Sequence, residues 1–305
     1  MLNIILLKIL LGVCSLSVVS TVKVETHTVV EAASIEDTNI EETEVEEDMA
    51  ENSVSKNVER EKPDVSEQPL LYKKWARISD EWDEVFEHAE NYPDSYPENL
   101  LSNLKRNPEI LDFVYGYLDA SPEIQGGMTI KERLENCPLF IQWDSRWGYV
   151  PYGSYNIGIS GCGPTCLSMV LYSYLRDETL TPPVLAQKGM DGGYYVPGAG
   201  TAWTYLVNVP QEYGLSVKQC QILDEAGMTA LLDNGGLIVC SMAPGDFTDT
   251  GHFILIHGYE DGEFLVNDPF SYTNSYKTWD YETLAKQIKQ IWCYEYPAEA
   301  FSSGN

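Results

Sequence analysis

Apolar residues recur at helical spacing in two separate stretches of the chain. After Cys162, the residues Leu167, Val170, Leu171, Tyr174 and Leu175 fall at i, i+3, i+4, i+7 and i+8, which predicts a buried helix. Gly161 and Pro164 mark its entrance, with Pro164 suited to a first helical residue. Upstream, Trp82, Val85, Phe86 and Ala89 predict a short helix over Ile78–Glu90, and Leu100, Leu101 and Leu104 a second one after Tyr96-Pro97. Asn107 reads as a cap and Pro108 as the first residue of a third, carrying Ile110, Phe113, Val114, Tyr117 and Leu118. Ordered structure is expected from about Leu70, so these helices form a small subdomain over residues 70–134.

Beyond Leu175 the texture alternates. A Pro182-Pro183 break precedes a short helical stretch, Asp191–Gly200 is a glycine-rich aromatic loop, and helical patterns return over Trp203–Tyr213 and up to Leu231-Leu232. Leu237–Ser241, His252–His257 and Glu263–Asn267 are rich in β-branched and aromatic residues and read as strands. Asp280–Gln290 reads as a helix and Ile291–Tyr296 as a last strand. Helices early and strands late predict a segregated α+β fold over residues 135–297, not a doubly wound parallel sheet. Residues 298–305 remain as a tail.

Charge changes the picture at the N-terminal end. The 305 residues carry a formal net charge of −28, which excludes an electrostatically driven nucleic-acid binder. Between Glu31 and Glu67, fourteen acidic residues stand against three basic ones, with no aromatic residue. Such a stretch buries too little apolar surface to offset its ordering entropy, so residues 33–69 are expected to be a disordered acidic linker. Ahead of it, an apolar run from Ile4 is interrupted only by Lys8 and closes on small residues near Ser20. Residues 1–32 read as a secretory signal, with an uncleaved membrane tether or lipidation at Cys14 as alternatives. The protein is accordingly expected outside the cell or at its surface, as a monomer.

Gly161-Cys162-Gly163-Pro164-Thr165-Cys166 places a thiol at a helix start, where unpaired N–H groups and the macrodipole favour a negative charge. A thiolate is such a charge, and this environment lowers a cysteine pKa from about 8.5. The same words also describe a small buried thiol. A reactive cysteine needs a base and the base an orienting group. His252 and His257 are the histidines of this half of the chain; five apart on a strand, they point to opposite faces, and His252 beside Gly251 is the better placed. His257 reads instead as a histidine satisfied by the backbone. Asp268 in Val266-Asn267-Asp268-Pro269 lies at a strand end, able to fix an imidazole tautomer or simply to make a turn. Gln142 offers an amide for an oxyanion, or is an ordinary loop glutamine. If Cys162 is free, Cys137, Cys166, Cys220, Cys240 and Cys293 are odd in number and cannot all pair. No CxxC pair is present and histidines are few, so neither a metal nor any other cofactor is expected. Gly192-Gly193 and Gly198-Ala199-Gly200 lack the lysine and helix context of a phosphate loop.

Taken together, Gln142-Trp143-Asp144 through Trp147-Gly148, Gly161-Cys162-Gly163-Pro164-Thr165, Gly251-His252-Phe253 and Val266-Asn267-Asp268-Pro269 resemble the bacteriocin-processing type of papain-like cysteine peptidase, in its stand-alone secreted branch. The resemblance covers about half the chain, and the stretch Tyr96–Leu118 is similar to a leader segment of those relatives. It implies a papain-like fold, with the nucleophile on an early helix and His and Asp on a late antiparallel sheet. It also implies Cys162 as nucleophile, His252 as general base and acid, Asp268 as orienter and Gln142 as oxyanion donor, acting on a peptide or protein. Cys166 falls outside the matched position and reads as a core thiol. Gly161, Tyr194 and Trp203 are placed along the substrate groove, although the aromatic loop equally fits side chains packed beneath it. Tyr149, Tyr152, Tyr155 and Gly158 are expected in a loop over the cleft. An acyltransferase or transglutaminase-like enzyme with the same residues, and a non-catalytic surface binding module, are the competing functions.

Overall fold

A computed structural model describes residues 79–296. The expectations for a signal in residues 1–32, an acidic linker in 33–69, the start of order near Leu70 and a tail in 298–305 lie outside the described residues. Among the described residues, no helix is long and apolar enough to cross a membrane.

The N-terminal helices run over Ser79–Asn91, Glu98–Arg106 and Leu111–Tyr115, the last entered through a 3-10 turn at Pro108–Ile110. Asn107 caps that turn as the sequence suggests, its side chain accepting the Glu109 N–H. The third helix stops at Gly116, short of Leu118. These helices do not close a core of their own. Trp82, Leu100, Leu104, Ile110 and Phe113 pack together with Ile141 and Trp143 of the following region.

Six strands form one antiparallel sheet: β1 Ser216–Cys220, β2 Leu237–Met242, β3 His252–Glu260, β4 Glu263–Asn267, β5 Thr278–Trp279 and β6 Ile288–Glu295. Their order is β1-β6-β2-β3-β4-β5. β1 and β5 escape the sequence pattern because both are short and lie at the sheet's edges, β1 being mostly solvated. β2 is buried at every position, as a strand covered on both faces must be. Leu237, Val239, Phe253, Leu255, Trp292 and Tyr294 meet the Cys162–Leu175 helix on one face. Ile238, Cys240, Ile254, Ile256 and Ile291 meet Met228 and Leu284, on the helices Glu225–Asp233 and Tyr281–Gln287, on the other.

The Cys162–Leu175 helix is buried, as its apolar spacing predicts. Gly163 to Tyr172 are all buried, so it runs through the interior, enclosed by the sheet, the helix Pro182–Asp191 and the loop before it. Two small hairpins, Pro151–Tyr152 with Tyr155–Asn156 and Tyr195–Val196 with Gly200–Thr201, flank its start.

Gly158 sits where the N-terminal helices meet this region. A Cβ there would lie 2.3 Å from the Phe113 ring and 3.0 Å from the Gly148 carbonyl oxygen. Gly158→Ala is expected to destabilise the protein by about 1–3 kcal/mol through overpacking, read as a lower urea midpoint with an unchanged slope.

Candidate active site

Cys162 is the first residue of its helix, with Gly161 as the cap and no side chain bonded to the helix start. The preceding turn, Ile157–Ser160, comes in tightly: a Cβ on Gly161 would stand 2.5 Å from the Ile157 carbonyl oxygen. Glycine is thus required for the two helices to meet at the thiol. Gly161 serves this junction and is not among the residues lining the cleft.

The antiparallel ladder brings the second group. Leu255 on β3 faces Asn267 on β4, so Asp268, one step past the strand, reaches His252 at the start of β3. His252 Nε2 and Asp268 Oδ1 are 2.7 Å apart. Cys162 and His252 line the same cleft, and with Nε2 taken by Asp268, Nδ1 is the imidazole nitrogen left for the thiol. Asp268 is fully buried and its oxygens are satisfied by more than the histidine: the Phe270 N–H donates to Oδ1 at 2.8 Å and Asn274 Nδ2 to Oδ2 at 2.8 Å. Burial works against the imidazolium of His252, but the Asp268 carboxylate, aided by Cys162, outweighs it and pushes the pKa up to about 10. His257 faces no such partner, and burial holds it down at about 4. It sits at the break in the β3–β4 register between Ile256 and Gly258.

Cys166, one turn along the helix, is buried and donates its thiol to the Phe253 carbonyl at 3.4 Å. Burial pushes its pKa well up, and Cys162 adds to this. Cys137 is pushed up to about 12, chiefly by burial. Gln142 is 2% exposed. Its Nε2 donates to the Gly158 carbonyl at 2.8 Å, with a long 3.4 Å contact to the Ile157 carbonyl, and its Oε1 has no partner among the described residues.

Cys162 and His252 open on a cavity of about 470 Å³ whose walls include Tyr155, Tyr195, Thr201, Trp203 and Lys289. A smaller recess of about 190 Å³ shares the same pair and Asn99 and adds Gln142 together with Ser102, Asn103 and Arg106. Trp203 thus lines the cavity that Cys162 and His252 share. Tyr194 does not: it lines a separate surface cavity with Lys188 and Glu212 and packs on the Tyr205 ring. Its neighbour Tyr195, on the hairpin, takes the place in the cleft, because adjacent residues of a strand face opposite ways. Of the residues expected over the cleft, Tyr155 lines it, whereas Tyr152 is buried against Thr201 and Tyr149 stacks on Phe113. Lys289 occupies a β6 position where the register against β2 shifts between Ile288 and Gln290, an irregularity that re-aims a side chain. The wall from the Glu98–Arg106 helix had one sequence signal: Asn99, Ser102, Asn103 and Arg106 recur at i, i+3, i+4 and i+7, opposite its leucines. Among the described residues, no group of three or more His, Cys, Asp or Glu side chains is placed to hold a metal.

The raised pKa of His252 has a pH signature. Its ordinary value is 6.5 and its folded value about 10, so the pairing contributes full stability below pH 6.5 and loses it as pH rises through about 10. Asp268→Asn removes that contribution. The stability difference between wild type and Asp268→Asn, from urea unfolding, is expected to shrink steadily over this window. A difference that stays constant would mean that the imidazole is not charged by Asp268.

Residues 134–297, more than half of the chain, match the Peptidase_C39 like family. Among curated proteins the chain has no match. Among solved structures it is similar to the peptidase domain of Streptococcus ComA, a bi-functional ABC transporter involved in a quorum sensing pathway, at 12% identity and a TM-score of 0.36, over 46% of this chain and 93% of that one. A double glycine motif protease from an AMS/PCAT transporter, in complex with its leader peptide, is similar at 20% identity and a TM-score of 0.33, over 45% and 86%. A putative C39-like peptidase from Bacillus anthracis is similar at 13% identity and a TM-score of 0.35, over 54% and 96%. With the papain-like arrangement of helix and antiparallel sheet around a thiol, the chain belongs to the Peptidase_C39 like family and is a cysteine peptidase.

Proposed function

We propose that this peptidase hydrolyses peptide bonds through Cys162, His252 and Asp268, with Gln142 as a donor to the oxyanion. The observation that carries the reading is the imidazole of His252, lining one cleft with Cys162 and held at 2.7 Å by a buried carboxylate. In that arrangement the thiol gives its proton to Nδ1 and attacks the scissile carbonyl as a thiolate. The tetrahedral oxyanion takes the Cys162 N–H and the Gln142 N–H that makes only the long 3.4 Å contact to the Ile157 carbonyl, the other being held by Gly158. His252 then protonates the leaving amine, and water, deprotonated by the same imidazole, releases the acyl-enzyme. Asp268 holds the ring and offsets its positive charge throughout.

The substrate we envisage is a peptide or an extended stretch of a protein, lying between the Tyr195–Trp203 wall and the Glu98–Arg106 helix. We place the enzyme outside the cell or at its surface, a reading supported by the apolar run from Ile4 and the small residues after it.

A thiol-directed peptidase inhibitor added to the full chain is expected to modify Cys162, with the adduct located by mass spectrometry. Cys162→Ala should abolish peptide turnover, and Cys166→Ala should keep it. Gln142→Ala should lower the rate by about 100- to 1,000-fold without eliminating it. An adduct confined to another cysteine, or full turnover by Cys162→Ala, would overturn the assignment.

A further inference from the structure

The helical segment ahead of the family-matched residues reaches the site at two depths. Its Glu98–Arg106 helix walls the smaller recess. Behind that wall, Glu109 carries a carboxylate that is 1% exposed and bonds to a part of the chain far from it in sequence. Oε2 accepts the Tyr272 N–H at 2.7 Å. Oε1 accepts the Thr273 N–H at 2.8 Å, the Ser271 hydroxyl at 3.3 Å and the Thr273 hydroxyl. A buried carboxylate is tolerated only where such donors replace its water.

The segment gripped in this way is the one that holds Asp268. Asn274, next after Thr273, donates its amide to Asp268 Oδ2. The Asp268 N–H donates to the Ser275 hydroxyl at 2.8 Å, and the Ser271 N–H to the Asp268 carbonyl at 3.2 Å. Two further bonds from outside fix the start of the turn: Asn107 Nδ2 and Trp143 Nε1 both donate to the Phe270 carbonyl, at 2.7 and 2.8 Å. Phe270 in turn gives its N–H to Asp268 Oδ1. A continuous run of short bonds therefore leads from Glu109, through residues 271–275, to the carboxylate beside His252.

We propose that Glu109 is a positioning residue of the peptidase: by clamping Ser271, Tyr272 and Thr273 it keeps Asp268 aligned with His252, which makes the helical segment a working part of the enzyme and not a removable leader. The proposal rests on the reading of Asp268 as the group that orients His252. A merely structural anchor would affect folding alone, whereas a positioning residue acts through Asp268 and has no further effect once Asp268 is gone.

A double-mutant cycle on the full chain separates the two. The probe is iodoacetamide, and the readout is the rate of Cys162 alkylation between pH 5.5 and 8, followed by mass spectrometry. This reports the thiolate held by imidazolium and needs no known substrate. A cysteine with an ordinary pKa near 8.5 is only about one-hundredth thiolate at pH 6.5, so complete loss of the pairing slows alkylation there by up to about 100-fold. Glu109→Gln is expected to slow it by about tenfold at pH 6.5, with the deficit vanishing toward pH 8. In an Asp268→Asn background the same substitution should change the rate less than twofold. An equal factor in both backgrounds, or no change in either, overturns the proposal. If Asp268→Asn alone leaves alkylation untouched, the orienting role of Asp268 is wrong, and this proposal falls with it. Thr273→Val, which removes one donor and keeps the carboxylate and both main-chain bonds, covers the case in which Glu109→Gln does not fold. It should give a smaller slowing that Asp268→Asn likewise erases, and wild-type rates in Thr273→Val would count against Glu109.

Discussion

A charged pair shut away from water is the constraint on which the rest of this structure depends. An imidazolium and a carboxylate leave bulk solvent only if other hydrogen bonds replace their hydration. His252 and Asp268 satisfy each other at 2.7 Å, and the remaining capacity of the carboxylate is taken by the Phe270 N–H and the Asn274 amide. Each of those donors is itself held. Phe270 is fixed through its carbonyl by Asn107 and Trp143, and the turn that carries Asn274 is gripped by Glu109. One buried charge is thus solvated by protein, and a second buried carboxylate is recruited in doing so.

The architecture follows from bringing that pair to a thiol. The helix that starts at Cys162 is enclosed on all sides over most of its length, so its first turn cannot drift relative to the sheet. β3 lies against it through Phe253 and Leu255, and the Cys166 thiol donates to the Phe253 main chain, tying helix and strand one residue from His252. A helix fixed in this way presents its first residue to the start of β3 with little freedom, which suits a reaction sensitive to shifts of an ångström.

Much of this was legible in local sequence, and what was not has a common physical cause. The thiol at a helix start, the strand opening at His252 and the turn at Asp268-Pro269 are written in residues within a few positions of each other. The parity of Tyr194 and Tyr195 was not: it depends on a two-residue hairpin that pairs Tyr195 with Thr201, too short to leave a periodic trace. Asn99, Ser102, Asn103 and Arg106 carry no signal that separates them from the solvated side of a helix, because a cleft wall and a solvent face have the same polarity. Glu109 follows Pro108, where an acidic residue in a first helical turn carries no special signal; its partners lie in the Ser271–Thr273 stretch, more than 160 positions away. The short edge strands β1 and β5 lack the two covered faces that make β2 obvious. Contacts between distant segments are what a single sequence hides.

The contact between Phe113 and Gly158 carries a consequence for how such a chain can change. No side chain fits at 158 while a phenyl ring fills the space beside it, and a smaller residue at 113 would leave a void in a close-packed interior. Each position is constrained by the occupant of the other, so neither drifts freely alone. The two are expected to vary as a pair among relatives that carry both segments. In relatives without the helices, position 158 is released from that constraint.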